Sequence, residues 1–286
     1  MRCIFASDLH GHVDRYQKLL REILRRRPAA VFLGGDLLPN PWAEASAIDP
    51  SHRDFVHGFL ATEFGRVLET LGPEYPKVFV ILGNDDARVE ESSILSVATQ
   101  GIWQYAHDQR LRLGNYAVFG YSFVPPSPFR LKDWERYDVS RFVDPGCLSP
   151  EEGARSIPMS PDVVRRSTIA ADLTALTGDR DLGQSVFLFH TPPYRTNLDR
   201  ADLDDQSIDH VPLDVNVGSI AVRRFIETRQ PRVTLHGHVH ESARITGTWR
   251  DQIGRTQLFS AAHDGPELAL VEFDLDSPEG ATRELL

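Results

Sequence analysis

Three stretches decide the fold: Arg2-Cys3-Ile4-Phe5-Ala6-Ser7-Asp8-Leu9-His10, Ala30-Val31-Phe32-Leu33-Gly34-Gly35-Asp36 and Val78-Phe79-Val80-Ile81-Leu82-Gly83-Asn84-Asp85. Each begins as a short run of β-branched, aromatic and aliphatic residues, the pattern of a strand buried on both faces of a parallel sheet. Each ends in polar residues, with glycine or serine beside them. Open α/β sheets collect their ligands at the carboxyl ends of strands, so the endings are where a site is expected. Between the first two runs, Tyr16, Leu19, Leu20, Ile23 and Leu24 recur at helical spacing, and Pro28 stops a helix predicted from about Val13 to Arg27. A loop holding Pro39, Pro41 and Pro50 then leads to a second predicted helix around 54–71.

Further along, alternating runs near 102–105, 110–113 and 116–123 give way to Val124-Pro125-Pro126-Ser127-Pro128. The segment 125–183 is rich in Pro, Asp, Arg and Ser, with one helical stretch near 161–176. Its apolar content is too thin for a core of its own, so it is expected to be a cap inserted into a single domain spanning 1–286. The strand pattern resumes at Ser185-Val186-Phe187-Leu188-Phe189 and ends at His190. A loop over 191–217, dense in Asp, is unusually long, and such loops are commonly functional. A helix near 219–229 and a strand at 232–235 lead to Gly237-His238-Val239-His240, and runs at 243–248, 256–261 and 267–273 predict a closing set of antiparallel strands. Strands alternating with helices make the fold class α/β.

The chain has 286 residues, 41% of them hydrophobic, which excludes disorder as the main state. It carries 41 acidic and 31 basic side chains, a net charge of −10 spread along the sequence. Tight binding to nucleic acid or to anionic lipid needs clustered positive charge, and the pattern predicts neither. An anionic ligand would need a local source of positive charge. No run approaches the roughly 18 apolar residues of a membrane span, and a signal peptide is not evident, so a cytoplasmic location is expected. Cys3 and Cys147 form neither a disulfide framework nor a metal cluster.

The residues that carry chemistry are Asp8 and His10, Asp36, Asn84 and Asp85, His190, and His238 and His240. One Asp or His at a strand end is ordinarily a cap or a turn former. Placing oxygen and imidazole donors at five strand ends by chance is another matter. In this order the blocks Asp8-Leu9-His10, Gly35-Asp36, Gly83-Asn84-Asp85, His190 and Gly237-His238-Val239-His240 resemble those of the calcineurin-like metallophosphoesterase superfamily, D-x-H, G-D, G-N-H-[DE], H and G-H-x-H. The resemblance implies a two-sheet αββα sandwich with two metal ions at one edge. It implies one ion on Asp8, His10 and His240, the other on Asn84, His190 and His238, and Asp36 bridging both. Imidazole, carboxylate and amide donors suit Mn, Fe, Zn or Ni. Two ions about 3.5–4 Å apart clamp a phosphate and generate a bridging hydroxide aimed at phosphorus. The local positive charge that an acidic protein lacks would be supplied in this way.

Where the family carries His after Gly-Asn, this chain has Asp85. The family residue is read as a proton donor to the leaving group. A carboxylate is an anion at neutral pH unless buried, donates poorly, and repels a monoester dianion more than a diester monoanion. The expected substrate is therefore a small phosphodiester, hydrolysed with Asp85 in the catalytic position or with His12 as a replacement donor. The alternative for Asp85 is a cap on the following helix, facing away from the centre. Arg88 and Arg195 are candidate contacts for phosphate oxygens. Competing readings are a phosphomonoesterase or protein phosphatase of the same fold, and a non-catalytic metal-binding scaffold. Segments 125–183 and 191–217 would set substrate identity; the sequence leaves the metal and the oligomeric state open.

Overall fold

The computed structural model describes residues 1–39, 54–204, 206–208 and 210–286. Pro41 and Pro50 of the expected proline-rich loop lie outside the described residues. The chain runs through β1 (Arg2–Ala6), α1 (Val13–Arg26), β2 (Ala30–Gly34), a π-helical turn (Phe55–Ala61), α2 (Thr62–Leu71), β3 (Lys77–Ile81), α3 (Glu91–Ala98), β4 (Gln104–Tyr105), β5 (Gln109–Leu113) and β6 (Tyr116–Tyr121). The segment 125–183, expected as an insert, holds α4 (Pro161–Arg166) and α5 (Ile169–Thr177), and after it come β7 (Ser185–Phe189), β8 (Ser207–Ile208), β9 (Val211–Pro212), α6 (Ile220–Arg229) and β10 (Val233–His236). The chain ends with α7 (Ser242–Thr246), β11 (Arg250–Ile253), β12 (Thr256–Ser260), β13 (Ala269–Asp274) and β14 (Thr282–Leu285).

Two six-stranded sheets form the centre, in the orders β14-β13-β1-β2-β3-β4 and β11-β12-β10-β7-β6-β5. Side chains alternate across each strand, so one set faces the other sheet and the next faces the helices. On β1, Cys3 and Phe5 join the core shared by the two sheets, with Phe32, Phe79, Val186, Leu188, Val233 and Leu235. Ile4 and Ala6 join the outer core, which the helices cover with Tyr16, Leu19 and Ile23 of α1 and Val222 and Ile226 of α6. Phe259 of one sheet meets Phe273 of the other at 5.6 Å between ring centres. Strands buried on both faces explain why their sequences read as unbroken apolar runs. Among the described residues, no helix is long and apolar enough to cross a membrane.

Strands β1, β2 and β3 are neighbours and parallel, as are β7 and β10 in the other sheet. Their carboxyl ends therefore emerge together, and this register positions the site. The end of the chain departs from expectation. Residues 243–248 do not make a strand: α7 occupies 242–246 and stops at Gly247, whose φ is +73°. Over so short a run, alternation of Ala243 and Ile245 does not distinguish a strand from one helical turn. The hydroxyls of Ser242 and Thr246 both donate to the Asn197 carbonyl, at 2.7 and 3.0 Å, and fix the turn against the loop after β7. Strand β12 runs parallel to β10, with antiparallel pairing only to β11. The helix expected over 161–176 is two helices, because the Thr168 side chain accepts from Ala171 N at 3.1 Å and starts α5 afresh.

Candidate metal centre

Every donor expected from the sequence lies one to four residues beyond a parallel strand. The loops are tied first by backbone: Asp8 N donates to Gly35 O (3.0 Å), His10 N to Asp36 O (2.8 Å) and Gly237 N to His190 O (2.9 Å). Asp8, His10, Asp36 and His238 all hold positive φ, between +45° and +74°. That region is sparsely populated for residues with a Cβ, and its concentration here marks a site where surrounding structure overrides local preference. Gly35 and Gly83 are required by space. A Cβ on Gly35 would stand 2.7 Å from His190 Nδ1, and one on Gly83 would stand 2.3 Å from Asp36 Oδ1.

The side chains converge in two groups. Donor atoms of Asp8, His10, Asp36 and His240 lie within 4.8 Å of one another, and so do those of Asp36, His190 and His238. Asp36 belongs to both. Asn84 joins the second group, its Oδ1 lying 2.9 Å from His190 Nε2. In that group His190 Nδ1 donates to Gly34 O at 2.8 Å, which leaves Nε2 facing Asn84 Oδ1 and Asp36 Oδ2, the latter at 3.2 Å. In the first group His10 Nε2 and His240 Nε2 face each other at 3.2 Å, and His240 Nε2 is also 3.2 Å from Asp8 Oδ1.

Several features fit a cation. Asp8 Oδ2 is buried and has no hydrogen-bond partner, which is costly for a carboxylate oxygen unless a cation takes it. Two imidazole nitrogens at 3.2 Å can share one proton or turn two lone pairs to a metal. The electrostatics of the protein without metal follow from the same crowding. Burial opposes charge on His190, yet Asp36 raises it to about 10; burial likewise opposes charge on His240, yet Asp8 raises it to about 9. Burial and then the His190 charge lower His238 to about 3. Burial also works against ionised Asp8, but His240, His190 and His10 hold its carboxyl well below the usual range. Protons on His190 and His240 thus balance the carboxylates when no metal does.

Asp85 turns toward this cluster. Its Oδ1 accepts from Asn84 Nδ2 at 2.9 Å, its Oδ2 lies 3.8 Å from His10 Nδ1, and its backbone N donates to Asp36 Oδ1 at 2.8 Å. It does not cap the next helix. Burial, and after it the charge of Asp36, raise its carboxyl to about 6. Among the described residues, the side chains of the other candidates make no hydrogen bond to these donors. His12 is exposed at the start of α1 and holds no side-chain hydrogen bond there. The Arg88 guanidinium lies 4.8 Å from the Trp134 ring and bonds Glu91 at 3.2 Å, facing the insert. Arg195 is exposed and lies over the Tyr194 ring at 5.1 Å.

Two residues that sequence reasoning passed over support the donors. Asp86 is buried, and its carboxylate accepts from Leu37 N, Leu38 N and Gly83 N at 2.7 to 3.1 Å, tying the loop after β2 to the loop after β3. Its position in the Gly-Asn-Asp-Asp run was the available signal. Arg15 donates to the Asp8 carbonyl at 2.8 Å from the first turn of α1. Nothing in the sequence distinguishes it from any other helix arginine.

A sandwich of two mixed sheets with two carboxylate and imidazole clusters sharing one Asp at the strand ends defines a dinuclear metal hydrolase. The family model for calcineurin-like phosphoesterases matches residues 1–242, and the chain belongs to that family. It is accordingly a metal-dependent phosphoric ester hydrolase. The fold is similar to that of the protein TT1561 of Thermus thermophilus, with 17% identity, coverage of 99% of this chain and 98% of that one, and a TM-score of 0.56. A further crystal structure, 16% identical and covering 99% and 98% of the two chains, gives a TM-score of 0.60. No curated protein matches the sequence.

Proposed function

We propose that the chain hydrolyses a small phosphodiester. One ion would be held by Asp8, His10 and His240, the other by Asn84, His190 and His238, with Asp36 shared; Mn, Fe, Zn and Ni all suit these donors. When bound, such a pair supplies positive charge to the phosphoryl oxygens and a nucleophile at neutral pH. The protein's own groups do the rest. His190 is fixed in one tautomer by Gly34 O, so its Nε2 stays aimed between Asn84 and Asp36. Asn84 contributes a neutral oxygen, which keeps the centre net positive toward an anion.

The observation that carries the choice of ester is Asp85, whose carboxylate lies 3.8 Å from the His10 ring. It adds negative charge where the incoming phosphate must sit. A monoester dianion meets about twice the repulsion that a diester monoanion does. Metal-loaded protein assayed on bis(p-nitrophenyl) phosphate and p-nitrophenyl phosphate, which share a leaving group, is expected to prefer the diester. Asp85→His should move the ratio of kcat/KM toward the monoester. Preference of the native protein for the monoester overturns the reading.

A further inference from the structure

A groove of about 770 Å3 opens between α3 and α5, where β4 and β5 end the two sheets. That size falls in the range of small-molecule sites, and none of the seven candidate metal donors lines it. Two arginines do, and each is held in the same way. Arg88 Nε donates to Glu91 Oε2 at 3.2 Å, while Glu91 Oε1 accepts from Tyr105 Oη at 2.8 Å. Arg136 Nη1 donates to Asp172 Oδ2, which also accepts from Tyr121 Oη at 2.6 Å. Both guanidiniums lie at the Phe123 ring, 6.0 and 3.9 Å from its centre. These contacts leave Nη2 of Arg88, and Nε and Nη2 of Arg136, without a hydrogen bond among the described residues. His107 lines the same groove and is only 9% exposed. Its Nδ1 accepts from Ser122 N at 3.1 Å, so the ring proton sits on Nε2, and that N–H has no acceptor among the described residues. Burial, then Arg88, then Arg136 lower the ring to about 3, which keeps it neutral at physiological pH.

A buried N–H without an acceptor is costly, and it stands here beside two guanidiniums that still have N–H groups to give. The guanidinium charges, and not those of Glu91 and Asp172, are the ones felt at the ring, so an acceptor placed at Nε2 gains by being negative. The same two acids, with the exposed Asp108 that also lines the groove, offset the arginines farther out. One negative charge is therefore matched and a second is not. Guanidinium groups present a planar fork that suits a carboxylate. Leu95, Ala98, Leu111 and Ala175 also line the groove and offer surface for carbon, which an inorganic oxyanion would leave bare. We propose that this groove binds a small organic carboxylate, its oxygens on His107 Nε2 and the free N–H groups of Arg88 and Arg136, its carbon chain against Leu95, Ala98 and Leu111. The site is independent of which ester the metal centre cleaves.

The test titrates the metal-loaded protein with hexanoate, with hexanamide, its uncharged counterpart, and with sulfate, by calorimetry. Hexanoate is expected to bind at least about tenfold more tightly than hexanamide, and more tightly than sulfate. A carboxylate can also reach the metal ions, so the groove is read separately. The ring nitrogen resonances of His107 should shift as hexanoate is added. Arg136→Gln should weaken hexanoate at least about fivefold, with hexanamide affinity, metal content and phosphoester turnover unchanged. Asp172 keeps its bond from Tyr121 Oη in that variant, so the fold is expected to persist. Absence of hexanoate binding, equal affinity for acid and amide, His107 resonances that do not move, or hexanoate affinity unaltered by Arg136→Gln overturns the proposal. Sulfate binding more tightly than hexanoate overturns the choice of an organic ligand.

Discussion

The strand-end edge and residues 125–183, the expected insert, are both rich in buried polar groups, but they are held in opposite ways. At the edge, five loops place donors within one to four residues of parallel strands, and backbone bonds such as Asp8 N to Gly35 O fix their register. The strands decide where the donors go. In the insert, side chains both near and far along the chain hold long irregular stretches together. Lys132 and Glu135 are both fully buried and paired at 2.6 Å, with Lys132 Nζ also donating to Ser127 O at 2.8 Å. Asp133 accepts from Arg88 N at 2.8 Å and Ser156 N at 2.9 Å, and Asp138 caps α6. The edge has carboxylates that protons on His190 and His240, or a cation, must balance; the ion pair of Lys132 and Glu135 is satisfied within the insert.

The largest expected effect breaks the edge alone. Asp36→Asn removes the one carboxylate shared by both groups of donors, and phosphoester turnover should fall by about a thousandfold or more, since charge on both ions is unbalanced. Metal analysis should show fewer than two ions per chain. Full activity with two ions retained would remove the assignment of Asp36.

A smaller effect is expected on the other side of the comparison. Lys132→Met leaves Glu135 buried without its partner, a change that costs about 3–5 kcal/mol. Protease susceptibility should rise within the insert while metal content stays at two. Loss of metal together with the insert would show that the two regions fold as one unit, contrary to the separation drawn from their bonding.

These differences also explain what the sequence disclosed. Strands β1, β2, β3, β7 and β10 and the convergence of the seven side chains at their ends are legible because each of these residues follows its strand within a few positions, so local pattern and final position coincide. The run 243–248 reads as strand but lies in and after the helix α7, because the bonds from Ser242 and Thr246 to Asn197 that fix the turn span more than forty residues. Asp85 was legible as a departure, but its direction was not, since only the folded loops bring it to His10. Arg15 and the three amides held by Asp86 are likewise contacts made by tertiary structure.

Protonation offers a gentler probe of the edge. Above pH 6.5 an unfolded histidine is neutral, whereas in the metal-free folded protein His190 and His240 keep their protons to about 10 and about 9. The folded state then binds more protons, so its stability falls as pH rises from 6.5 toward 10. Melting temperature of the metal-free protein should therefore decline by a few degrees between pH 7 and 10, on the order expected for a chain of this size. Metal replaces the protons on His190 and His240, so the loaded protein should lose the alkaline decline. An alkaline decline unchanged by metal would place those protons elsewhere.

The finest cut separates a donor from the residue that holds donors in place. Asp86 touches none of the seven; it binds the amides of Leu37, Leu38 and Gly83 and so sets the distance between Asp36 and Asn84. Asp86→Asn keeps the volume but replaces one acceptor oxygen by a donor, which cannot satisfy the amide it meets. Metal affinity should fall about 10–100-fold, the range of residues that orient ligands without contacting the ion. Turnover at saturating metal should recover most of its native value, because the donors themselves are intact. Asp86→Glu, which restores the charge with one more methylene in a fully buried space, should not rescue the affinity. If saturating metal fails to restore turnover to Asp86→Asn, the carboxylate acts in the reaction itself and the edge is larger than its seven donors.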